Sequence, residues 1–405
     1  MIPKTLLHKR SLLALLPLLL LPACRGSSPT RRDDVVPPFV FRSLDLKQQS
    51  PKGKLAWELT SPEARYDIRR RIAQAINPKG VIYADGKPRY RVQADSGTVV
   101  NDGEAILLEG HLRVERVGSQ PVLIEAARAR WLPRKQLMLI DRRPAAYDRQ
   151  GRLRAQRARF LFSEDRLELT GQPQLDRWSR PFDPFGALPK EAPSIVLQAT
   201  QISWSPGKGA LVATGPLLGH RTQPDQSAGD APQQLSAEGL EGNTLTQLFT
   251  LKGSVRYTDT AQGDSFVGRD VRFNPATSQA STSSNFQANR GSLQASGAAL
   301  RVDGKEHWLR IDGDCRVNKP GEQLEAERCA WNWQSGAVEA EGALRLERSS
   351  NGQLTRAGSL SGQLGKEGTI LIRAPGGRVV SQFRLPARPA RAPAPPRPAP
   401  EPIVP

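Results

Sequence analysis

The 405-residue chain is poor in the side chains that do chemistry, with 3 cysteines and 4 histidines. His111, His220 and His307 are dispersed, with no His/Cys/acid spacing that could hold a metal. No Gly-Lys pair is followed by Ser or Thr, so a phosphate-cradling P-loop is absent. No serine elbow or Cys/His pairing offers a nucleophile. Neither an enzyme nor a bound cofactor is expected. Acidic residues are also short, 40 against 58 Lys and Arg, leaving a net charge of +18. Long helical patterns are rare. Gly 35 and Pro 34 instead favour β structure with many turns.

The one strongly apolar run is N-terminal. Lys4, Lys9 and Arg10 form a positive region, and Ser11 to Pro22 is apolar. A spanning helix needs about 20 apolar residues, and this run is shorter and holds two prolines. It reads as a secretory signal over 1–23, and Leu21-Pro22-Ala23-Cys24 resembles a bacterial lipobox. Cleavage before Cys24 and lipidation of its thiol are expected, with an uncleaved anchor as the alternative. Residues 24–38 form a tether. The Pro/Ala/Arg-rich stretch 386–405 cannot build a core and is expected to be extended and disordered. In the oxidising compartment this implies, Cys315 and Cys329 suggest one disulfide, with two separate thiols as the alternative. There the basic charge would meet envelope anions, and nucleic acid is not an expected partner.

Between the ends the chain repeats. Around Ala94 it reads apolar-x-Ala-x-x-apolar-x-apolar: Val92 and Ala94, then Gly97 and Val99 one residue out of phase. The same slip recurs at Ile124, Ala126, Ala129 and Trp131; at Ala155, Ala158, Phe160 and Phe162; and at Leu197, Ala199, Ile202 and Trp204. Later copies run through Phe266, Gly268, Val271 and Phe273, through Leu300, and through Leu324, Ala326, Cys329, Trp331 and Trp333. The central small residues lie at 61, 94, 126, 155, 199, 237, 268, 295, 326 and 357, mostly 27 to 33 apart. Each copy has a return half, such as Ile106, Leu108, Gly110, Leu112 and Val114, with a central glycine. Alternation at period two keeps one set of side chains on one face. An odd step therefore demands a bulge or corner if both halves are to face inward. Stacked corners would fold the sheet lengthwise into a trough. One segment competes: in Ser61–Asn77, Ile68, Ile72 and Ile76 have helical spacing. The repeat register favours strand to Ile68 and leaves the connection to Asn77 open.

"FVFRSLDLKQQ", "GKLAWELTSPEARYD" and "GVIYADGKPRYRVQADSGTVVNDGEAILLEG" resemble the OstA-like domain of lipopolysaccharide-export proteins, most of all the C-component, LptC. The resemblance covers 39–150 well and the rest of 39–385 by repeat alone. It implies an all-β fold, an elongated β-jelly roll or β-taco of about ten two-stranded OstA-like repeats, open along one side. It further implies a periplasmic bridge component that carries lipopolysaccharide acyl chains from an inner-membrane ABC transporter toward the outer membrane. Its partners would be that transporter and other OstA-like bridge proteins, joined by edge-strand pairing, with the lipid anchor holding it to a membrane, the inner before the outer. The candidate groove-lining residues are Ile106, Leu108, Leu112, Ile124, Trp131, Phe160, Phe162, Leu197, Trp204, Phe273, Leu300, Trp331 and Trp333. For any one of them, filling a core is the plainer role. Outward Arg113, Arg116, Arg128, Arg130, Arg157 and Arg159 form basic rows, read as a solvated face. The rival is a structural or cell-wall-binding β-solenoid lipoprotein without lipid cargo. A β-helical glycan enzyme would need clustered carboxylates, which the sequence does not supply.

Overall fold

The computed structural model describes residues 39–221, 233–350, 352–363, 370–374 and 377–383. The expected signal, the lipidation site Cys24, the tether and the tail 386–405 lie outside them. The described residues hold 32 strands in one sheet, in which every pairing is antiparallel. The only helical elements among them are the 3₁₀ turns Asn101–Gly103 and Pro133–Lys135.

The sheet bends along its length into two walls. Lys87–Gln93 runs down the first wall and Ser96–Val100 continues in the second. Ala105–Arg116 then returns through both, pairing Val99 with Ile106 in the second wall and Val92 with Val114 in the first. Every later course follows the same plan. The phase slip is the bend itself: register jumps fall at Ala126/Arg128, Ser236/Gly239 and Glu325/Arg328. Val92, Ala94 and Val99 are all buried, so the odd step keeps both halves of the course facing inward.

The return course bends at its glycine. Gly110 has φ +73° and His111 φ +32°, a left-handed pair that an L side chain adopts at a cost. Its carbonyl accepts from the Asp95 N–H at 3.1 Å. A Cβ at position 110 would run into the Asp95 carboxylate. The contact recurs at Gln156 N–H to Gly171 O, 3.2 Å, and at Ala298 N–H to Gly313 O, 2.8 Å. One corner thus sits on the next.

Ser61–Asn77 is not helical. Glu63–Asp67 and Ile72–Ile76 form an antiparallel hairpin. Ala73 and Ala75 face inward, while Ile68 and Ile76 are exposed. The four-residue isoleucine spacing marks solvent positions, and neighbouring strands supplied the pairing that decided the segment.

Candidate functional site: a trough closed in one half and open in the other

Both walls turn apolar side chains inward, but the resulting interior is not uniform. From Trp57 to Val255 a single buried cluster fills it. Trp57 packs edge-on against Trp131 across the walls at 5.4 Å, and Tyr90 does the same against Phe160 at 5.1 Å. Ile106, Leu108, Leu112, Ile124, Trp131, Phe160, Phe162, Leu197 and Trp204 all belong to this closed cluster. Phe273 packs at its edge and borders a narrow gap of about 40 Å³ shared with Leu197 and Trp204.

The open side of this half is bridged from lip to lip. Tyr90, from the first wall, donates its hydroxyl to Asp165, in a turn of the second. Arg89 and Arg116 approach the same carboxylate at 3.3 and 3.9 Å, and the Gly207 N–H donates to it at 2.8 Å. Arg116 is therefore drawn to a buried acid and does not join the outward row. Burial, then the bond to Asp165, holds the Tyr90 phenol far above its ordinary range. Further along, Gln247 Nε2 donates to Gln150 Oε1 across the same opening. Beside it, burial pushes the Asp148 carboxyl up against the Gln150 and Gly151 N–H groups that bind it. A recess of about 410 Å³, lined by Lys52, Lys54 and Arg89 over Trp57 and Phe162, opens at the lips and also includes Tyr90.

The C-terminal half differs. A second buried cluster runs from Phe286 to Leu360, and above it lies an apolar cavity of about 470 Å³. Phe266, Leu300, Leu309, Trp331, Trp333 and Leu346 line it. That volume is within the roughly 300–1,000 Å³ of small-molecule sites. Between Asp264 and Arg348, the described residues show no hydrogen bond or ion pair from one lip to the other. Bonds run along each lip instead, as in Gly291 N–H to Gly263 O and Trp333 N–H to His307 O. The first lip is charged. Glu322 takes Lys319 at 2.7 Å and Arg348 at 3.0 Å, and the Lys319 bond lowers its pKa most. Arg290 also borders the cavity, next to Asp264, whose carboxyl burial pushes up. The second lip carries Trp331 and Trp333.

Cys315 and Cys329 form a disulfide with Cα atoms 6.0 Å apart. It ties neighbouring courses at the corner where the register jumps from Asp312 to Cys315, and Cys329 lies on the cavity wall. Of the candidate lining residues, only Leu300, Trp331 and Trp333 reach this cavity. The sequence reading missed the bridge residues Tyr90, Asp165, Gln150 and Gln247, since acids and amides in turns look like solvated loop. Phe266, already placed in the repeat, and Leu346 also line the cavity without having been among the candidate lining residues, although their register was a usable signal. Among the described residues no cluster of His, Cys, Asp or Glu is placed to hold a metal.

A lengthwise-folded antiparallel sheet with stacked corners and an apolar inside is a β-jelly roll open on one side. Residues 11–174 match the family described as lipopolysaccharide-assembly, LptC-related. No curated protein matches the sequence. Among solved structures the chain is similar to LptH of Pseudomonas aeruginosa, described as the LptA-homologous periplasmic component of the lipopolysaccharide transport device. Identity is 12%, coverage 47% of this chain and 95% of that one, and the TM-score 0.19. So low a score has no bearing on the fold, which rests on the strand pairing.

Proposed function

We propose that this chain is a periplasmic component of a lipopolysaccharide transport bridge, shielding acyl chains from water between an inner-membrane ABC transporter and the outer membrane. The observation that carries the reading is the apolar, open-sided cavity of the C-terminal half, on a chain whose N-terminal region matches the LptC-related family. No bond chemistry is needed. Burying an acyl chain against Phe266, Leu300 and Trp331 gains roughly 0.8 kcal/mol per CH₂ removed from water.

Contacts with other bridge components would run through the sheet's ends. Among the described residues, Leu44–Gln49 pairs only with Leu55–Ser61, and Val380–Gln382 only with Gln353–Gln363. Their free backbone groups suit β-augmentation. Lipidation at Cys24 would hold the chain to a membrane, the inner one by the direction of the bridge. Labelled fatty acid should enter the wild type and not Cys24→Ser.

A photocrosslinking residue at Leu309 or Phe266 tests the cargo. Adducts with lipopolysaccharide in cells are expected there and not at outward Arg130. If no cavity position crosslinks, the cell-wall scaffold is the better reading.

A further inference from the structure

Resting on that reading, we infer that acyl cargo loads sideways, through the open lips of the C-terminal half, and does not travel inside the N-terminal half. An internal path along the whole trough would have to pass Tyr90, Trp131 and Phe160, each at most 1% exposed. It would also have to break the Tyr90–Asp165 and Gln150–Gln247 bridges. Close-packed interiors hold few voids larger than water: the 410 Å³ recess at the lips ends against Trp57, Tyr90, Trp131 and Phe162, and the gap beside Trp204 is about 40 Å³. Parting the walls there would strip partners from a carboxylate that is 4% exposed and carries a tyrosine, two arginines and a backbone N–H. Unpaired buried charge is among the costliest defects a fold can hold.

The C-terminal lips need no such break. One side offers Arg290, Lys319 and Arg348, the other Trp331 and Trp333, with the apolar floor between them. That pairing fits an amphiphile with an anionic head and an acyl tail, the tail lying inward and the head at the arginines. The N-terminal half then acts as a closed spacer.

The tryptophans divide along the same line. Trp57, Trp131, Trp178 and Trp204 are buried in the closed half, while Trp308, Trp331 and Trp333 belong to the open one. Dibromostearic acid, below its critical micelle concentration, quenches only indoles that it touches. The full-length protein is expected to be quenched, and W308F/W331F/W333F is expected to lose that quenching while keeping its β circular dichroism. If quenching persists in the triple variant, the acyl chain reaches the closed half and sideways loading is wrong, although the cargo reading stands. If the wild type is not quenched at all, the cargo reading fails and the inference with it.

Discussion

Asp165 sits in a turn, yet the fold makes it a buried anchor for four donors from three separate stretches of chain. Replacing Tyr90 with Phe removes one hydrogen bond to that charged group and leaves the arginines in place. The expected loss is about 1.5–3 kcal/mol, read as a lower denaturant midpoint at an unchanged m-value. Tyr257 makes a pH prediction. Burial, then the Asp259 charge, raises its phenol from 10.0 to about 12. The folded chain keeps this phenol neutral at a pH where the unfolded chain ionises it. Its contribution is therefore complete below pH 10 and is lost as the pH climbs through about 12. Tyr257→Phe should flatten the fall in stability measured above pH 10 and change nothing at pH 8. Neither environment was legible in the sequence, because each is assembled from residues far apart along the chain.

The corner is the element that the fold repeats, and its chemistry is local. Gly110 is left-handed, and a Cβ added there would meet the Asp95 side chain. Ala there meets both the backbone penalty and the clash, so Gly110→Ala should cost about 2 kcal/mol or more by thermal or denaturant unfolding. Gly342, left-handed over Glu327, should behave alike. The disulfide belongs to this scale too, closing a sequence separation of 14. By the chain-entropy account its removal costs about 3 kcal/mol. Cys315→Ser/Cys329→Ser should therefore melt earlier than the wild type, and a reductant should lower the wild type to match. The bend could be read from the sequence because an odd step in a period-two pattern has few structural solutions. The connection from Ile68 to Asn77 stayed open because Ile68 and Ile76 both face solvent, where periodicity carries no core information.

Across the molecule, the same repeat yields a packed interior in one half and a cavity in the other, and substitutions should separate the two. Phe160→Ala removes a fully buried ring that packs on Tyr90 and Phe162. It should cost about 3–5 kcal/mol in unfolding experiments and leave quenching by dibromostearic acid at the open-half tryptophans unchanged. Leu309→Ala, at the cavity wall, should instead weaken binding of that fatty acid, measured by titration, with a smaller loss of stability. The sequence by itself determined the β class, the two courses per repeat, the corners and the inward register, because each follows from alternation and from residues adjacent in the chain. Which part of the interior closes was decided only by the tertiary structure. Closure depends on whether large side chains from opposite walls meet, as Tyr90 and Phe160 do and as Phe266 and Trp331 leave room not to. It depends as well on whether a turn such as Asp165's reaches the facing lip, and a one-dimensional pattern holds no record of distances across the trough.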